Sequence, residues 1–132
     1  MTKAVEILLY TLQPGTGDEF HTIMQTVSVP LHRSIGMDVV SYGKSAHDSD
    51  AYYLIRAYAD LDQLETSQEV FYKSDAWRSG PRADIIARIA ASLKSVVIMS
   101  DEAVEALRAE TAPGKSYVMT EADINQATSR KS

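Results

Sequence analysis

Glu6, Arg56 and Lys94 sit in three separate runs of alternating apolar residues. Tyr10, Tyr42, Tyr52 and Tyr58 sit in runs of the same kind. Alternation in a strand sends successive side chains to opposite faces, so residues of one parity share a face. By that rule one face collects Glu6, Tyr10, Asp38, Tyr42, Tyr52, Arg56, Tyr58 and Lys94, mixed with Leu8, Leu12, Val40, Leu54, Val96 and Ile98. With the first strand between the fourth and third, Glu6 meets Arg56 on one side and Lys94 on the other. Two cations there could hold an anion or a charge that develops on a substrate, and Glu6 or His32 could move a proton. The tyrosine hydroxyls could orient a ligand. The same set also reads as an ion cluster that satisfies itself and fixes register in an interior. Both readings stay open. The candidate substrate-binding residues are Glu6, Tyr10, His32, Tyr42, Tyr52, Arg56, Trp77 and Lys94, and no residue is assigned as catalytic.

The stretch from Phe71 to Arg82 holds the only tryptophan, Trp77, a Gly80-Pro81 break, and cations at Lys73, Arg78 and Arg82. Trp77 is expected to pack on the sheet edge or on a neighbouring subunit. Arg78 and Arg82 either grip an anion, cap a helix end, or pair with Asp75 and Asp84. His21, His32 and His47 match no zinc spacing and no HExxH helix, so no metal site is expected. His32, at a helix end, reads as a helix-terminal histidine, with haem ligand or general base as alternatives. Gly15-Thr16-Gly17 lacks the third glycine of a dinucleotide fingerprint, and no Walker A or GxSxG motif occurs.

The elements that must position these groups follow from periodicity. Residues 4–12 read as a strand closed by Pro14-Gly15. Phe20, Ile23, Met24, Val27 and Leu31 mark a helical stripe. Thr16 and Glu19 form a possible capping box at its start, and Pro30 should bend or end it near Val29. Strands are expected at 37–44 and 51–58, joined by a polar hairpin loop from Gly43 to Asp50. Asp60 caps a helix to about 70, and a short helix covers 75–79. A further stripe runs through Ile85, Ile86, Ile89 and Leu93, followed by a strand at 92–99 and a short helix at 101–108. The order strand-helix-strand-strand-helix-strand predicts an α+β, ferredoxin-like βαββαβ fold with an antiparallel sheet in order 4-1-3-2. Helices cover one face only. The ionisable set is expected on the bare face, sealed by a second copy of the chain.

A chain of 132 residues with 45% hydrophobic and 23% charged content fits one domain, taken as 1–112, with a polar tail at 113–132. Cysteine is absent, so thiol chemistry is excluded. A net charge of −5 with scattered basic residues argues against nucleic-acid binding. No apolar run is long enough to span a membrane, no cleavable leader is evident, and the expected location is cytoplasmic.

The opening Val5-Glu6-Ile7-Leu8-Leu9-Tyr10-Thr11-Leu12-Gln13-Pro14-Gly15 resembles the first strand of the NIPSNAP family, within the dimeric α/β-barrel superfamily. Pro30-Leu31-His32-Arg33 before Gly36, and Trp77-Arg78-Ser79-Gly80-Pro81-Arg82 followed by Ile85, Ile86 and Ile89, are similar to the same family. The resemblance covers about residues 4–99. One departure is Leu8, where the family strand often carries an arginine; Arg56 could take its place across strands. The resemblance implies a homodimer of ferredoxin-like halves. The family has no settled reaction, and its superfamily includes cofactor-independent monooxygenases, haem-degrading enzymes, isomerases and binding proteins. The resulting expectation is a homodimeric protein that needs no cofactor and binds a small organic molecule between sheet and helices. The alternative is a cofactor-independent monooxygenase, an isomerase or a haem-handling enzyme.

Overall fold

In the computed structural model, which describes residues 1–112, four strands form one antiparallel sheet in the order β2-β3-β1-β4. This is the expected 4-1-3-2 order read from the other edge. The strands are β1 (Thr2–Leu12), β2 (Asp38–Ser45), β3 (Asp48–Tyr58) and β4 (Ile89–Ser100). Helices α1 (Gly17–Ile23) and α2 (Val29–Ser34) join β1 to β2, and α3 (Leu61–Lys73), α4 (Asp75–Arg78) and α5 (Arg82–Arg88) join β3 to β4. Helix α6 (Asp101–Glu110) follows β4. The tail expected at 113–132 lies outside the described residues.

Pro30 does not end the first helical segment. A π-helical turn at Met24–Ser28 bridges α1 and α2, with the Val29 N–H donating to the Met24 carbonyl five residues back. Pro30 brings no N–H and its ring crowds the carbonyl four residues earlier. Widening the preceding turn lets the chain stay helical through Ser34. The Thr16 side chain is not the cap of α1. Its hydroxyl donates to the Gln13 carbonyl, and the Asp50 carboxylate accepts from the Gly15 and Gly17 N–H groups instead. Gly17 lies so close to β3 that an added Cβ would stand 1.7 Å from the Ser49 carbonyl oxygen. Asp60 caps α3 as expected, accepting from the Gln63 N–H at 2.8 Å.

Element boundaries and one register differ from the sequence reading. The β2–β3 ladder continues to Ser45 opposite Asp48, so the hairpin loop shrinks to Ala46-His47. β4 begins at Ile89, because Ile89 pairs with Leu12 and the Gln13 N–H takes the Arg88 carbonyl. Ile89 and Leu93 therefore belong to a strand and not to the helical stripe. A β-bulge between Val39 and Ser41 shifts the register of β2 against β3.

The faces also exchange roles. The set with Glu6, Tyr10, Tyr52, Arg56 and Tyr58 lies under the helices, packed among Phe20, Met24, His32, Phe71, Trp77 and Ile85. The opposite face carries a second, smaller apolar cluster. Val5, Val40 and Ala57 pack on Val104 of α6, which covers part of that face, while Leu9 is 51% and Leu93 72% exposed beyond it. Parity grouped these strand residues well except in β2, where the bulge sends Asp38 and Val40 to the α6 side. There Arg108 grips Asp38 through both terminal nitrogens, at 2.8 and 2.9 Å.

Candidate functional site

Glu6 and Arg56 are direct cross-strand partners in the β1–β3 ladder. Arg56 Nε donates to Glu6 Oε1 at 2.6 Å, and each side chain is 1% exposed. Lys94 Nζ reaches Glu6 Oε2 at 3.2 Å from β4. Gln68 of α3 also donates to Glu6 Oε2 and lies 3.3 Å from the Tyr58 hydroxyl. Burial alone would raise the Glu6 carboxyl. The Arg56 charge and the hydrogen bonds from Arg56, Gln68 and Lys94 outweigh it and hold Glu6 below the ordinary carboxylate range. Burial likewise pushes Tyr58 up to about 12.

Arg56 Nη1 has two further partners, His32 Nε2 at 3.0 Å and the Tyr72 hydroxyl at 2.9 Å. His32, 2% exposed, stacks on Phe71 with ring centroids 4.3 Å apart. Its Nδ1 stands 2.7 Å from the Ser28 carbonyl. A carbonyl can only accept, so the proton sits on Nδ1 and Nε2 offers its lone pair to Arg56. Burial drives the His32 pKa down to about 4, reinforced by the Arg56 charge. Both ring nitrogens are thus engaged, and neither a haem iron nor a substrate proton finds a free lone pair on His32. The haem-ligand and general-base readings do not fit this arrangement.

A second constellation lies at the other end of the first helical segment. His21 of α1, Gln25 of the π-helical turn, Arg33 of α2, residues 40–44 of β2, Arg108 and residues 111–112 line a cleft of about 380 Å³. His21 Nδ1 is 2.6 Å from the hydroxyl of Tyr52, which is buried. That hydroxyl has no other partner among the described residues, and the contact engages His21 Nδ1 whichever of the two carries the shared proton. Burial, with the Lys44 charge, lowers the His21 pKa and keeps the ring neutral. Burial also raises the Tyr52 phenol, so it stays protonated.

The candidates divide accordingly. Glu6, His32, Arg56 and Lys94 converge in the network. Tyr42 and, through His21, Tyr52 belong to the cleft. Tyr10 stands edge-on to Phe20 at 5.8 Å, between the two. Trp77 is core, packed on Phe71 and Tyr72 at 5.2 and 5.4 Å. Gln68, Tyr72, His21 and Gln25 were not singled out as ligand-site residues. All lie on helices, where no parity rule aims them at the sheet. The stripe carrying Phe20 and Met24 could have pointed to His21 and Gln25, each one residue on.

No family model matches the sequence, and no curated protein matches it either. Solved structures do. The architecture is a ferredoxin-like α+β fold, and its structural neighbours include NIPSNAP family proteins. One, a NIPSNAP family protein from Agrobacterium tumefaciens, superposes with a TM-score of 0.68 at 15% identity, covering 75% of this chain and 87% of that one. A NIPSNAP-like domain protein from Burkholderia xenovorans gives 0.68 at 14% identity, over 92% and 97% of the chains. A cofactor-independent oxygenase from Streptomyces nogalater gives 0.54 at 12% identity, over 72% and 90%.

Two outcomes follow from the network. Arg56→Ala, which strands a buried carboxylate, should lower unfolding free energy by about 3–5 kcal/mol in urea titrations, whereas Arg56→Met paired with Glu6→Leu should cost clearly less. Equal losses would mean that packing, not charge, is what Arg56 supplies. The second concerns pH. The folded His32 pKa lies below its unfolded value of 6.5, at about 4, so the unfolded chain binds more protons between those limits and stability falls as pH drops through that window. The loss should total roughly 3 kcal/mol at 1.36 kcal/mol per unit. Glu6, also depressed, loses its contribution at the acid end of this range and below it. Unfolding titrations between pH 7 and pH 4 check this: His32→Gln should flatten the dependence above pH 5, and an unchanged slope in that variant would rule the assignment out.

Proposed function

We propose that the chain is a homodimeric binding protein that holds a small organic molecule in the cleft between β2 and the α1–α2 segment. The observation that carries this reading is the cleft itself. At about 380 Å³ it falls inside the usual range for ligand pockets, about 300–1,000 Å³. Its wall combines Val40, Tyr42 and Ala112 with a few polar groups, His21, Gln25, Ser41 and Arg33. That mixture suits a partly apolar ligand with one polar or anionic end. Two backbone irregularities shape the wall. Gln25 comes from the π-helical turn and residues 40–41 from the β-bulge, and both kinds of irregularity concentrate at functional sites.

Binding is better supported than proton-transfer catalysis. In the network, Glu6 is ionised and held by three donors, and His32 has no free nitrogen. In the cleft, the Tyr52 hydroxyl engages His21 Nδ1. The acid–base groups are committed to one another before a substrate arrives.

Dimerisation is supported by the apolar surface of β4 and its neighbour β1. Leu9, Leu93 and Val97 form an apolar patch on the face that α6 leaves open, and Val96 and Ile98 are exposed on the other side of β4. Such an edge strand is a surface that a second copy would cover.

Two measurements test this. Native mass spectrometry after incubation with a small-molecule extract should show a mass increment on the wild-type protein that Gln25→Trp, which fills the cleft, abolishes; an increment retained in the variant, or none in the wild type, would sink the ligand reading. Analytical ultracentrifugation at tens of micromolar should give a dimer for the wild type and a monomer for Leu93→Lys. A monomeric wild type would remove the second copy.

A further inference from the structure

The corner formed by α3, α4 and α5 carries a charge pattern that neither the network nor the cleft uses. Tyr72, Lys73, Arg78 and Arg82 surround an open depression of about 610 Å³. Lys73 is compensated, with its Nζ 2.8 Å from Glu69 Oε1. Arg78 and Arg82 are not. The sequence offered Asp75 and Asp84 as their partners, yet Asp84 turns to Arg88 at 3.8 Å, and neither Arg78 nor Arg82 forms an ion pair among the described residues. Two full guanidinium charges therefore border one depression in a chain whose net charge is −5.

Tyr72 supplies the feature that distinguishes this corner from a pair of solvated arginines. Its hydroxyl accepts from Arg56 Nη1 at 2.9 Å, and Arg56 is buried. The oxygen is thus occupied from inside by a cation. Its proton has no acceptor among the described residues, and Tyr72 is 38% exposed at the depression. With Tyr72 on its rim, anchored by Arg56 at the hydroxyl oxygen, a depression bordered by two uncompensated planar guanidinium groups is suited to an oxygen-rich anion. Charge count narrows the class. A monocarboxylate would neutralise one of the two guanidinium groups, and a dianion neutralises both.

We propose that this corner is a binding site for a phosphoryl dianion, either inorganic phosphate or the head of a phosphate monoester, with Arg78 and Arg82 as the charge-bearing ligands and the Tyr72 hydroxyl as the fixed donor. The site is separate from the β2 cleft and does not depend on the reading given above.

Isothermal titration with phenyl phosphate, inorganic phosphate and benzoate, on the full chain, tests it. Phenyl phosphate should bind saturably and more tightly than benzoate, and the affinity should fall as salt is raised. Phenyl phosphate binding tighter than inorganic phosphate points to a monoester, and equal affinities point to the free ion; either supports the site. Arg78→Gln and Arg82→Gln, both at exposed positions, should each weaken binding about tenfold, and Tyr72→Phe should weaken it while keeping the ring packed on Trp77. The proposal is overturned if the wild type shows no saturable phosphate or phenyl phosphate binding at millimolar concentration, if benzoate binds as well as phenyl phosphate, or if the double variant Arg78→Gln/Arg82→Gln keeps wild-type affinity with an unchanged circular dichroism spectrum.

Discussion

The buried guanidinium of Arg56 is the constraint around which the helix-covered side of the sheet is arranged. A charge removed from water needs a counter-charge and a partner for its donors. Glu6 supplies the first from the neighbouring strand, and His32 and Tyr72 take further N–H groups from two different helical segments. One side chain thereby ties β1, β3, α2 and α3 to a single geometry. Each helix is fixed not only by apolar contact, which tolerates sliding, but by a directional bond that does not. The neutral state of His32 follows from the same arrangement. An imidazolium there would face Arg56 with no lone pair to offer.

The first helical segment shows how a local sequence conflict shapes a surface. Pro30 sits where an α-helix would want an N–H, and the chain answers with a π-helical turn just before it. That turn carries Gln25 to the cleft wall and precedes the turn that brings His32 to Arg56. On the facing strand, the bulge at Val39–Ser41 gives the cleft its other wall and delivers Asp38 to Arg108. The cleft exists where the two elements depart from regularity opposite each other.

Much of this was legible in the sequence, for a physical reason. Period-two alternation is a strong signal, and by itself it places Glu6, Arg56 and Lys94 in one group and within reach of each other. Two things were not legible. Parity says which residues share a face but not which face the helices cover. Here the polar-looking set lies beneath the helices because Phe20, Phe71 and Trp77 pack around its apolar members, and because His32 and Tyr72 accept from Arg56 while Gln68 donates to Glu6. The other loss was the bulge. One extra residue inverts every face assignment before it, which is why Asp38 and Val40 were grouped wrongly while Tyr42, beyond it, was grouped correctly.

The exchange of faces changes what a second copy would have to do. Had the ionisable set been on the bare side, association would bury charges, and the interface would have to satisfy every one of them. With the network already closed inside the chain, the surface left open on the far side centres on Leu9, Leu93 and Val97, with α6 along one margin. Covering it requires no pairing of charges, only apolar area removed from water. The cleft reaches round the β2 edge to Val40 and Arg108, while Leu9 and Leu93 lie across the sheet on β1 and β4. A ligand in the cleft or an anion at the α3–α5 corner would touch neither Leu9 nor Leu93, and substitutions on the apolar side should alter assembly without altering what either site contacts directly.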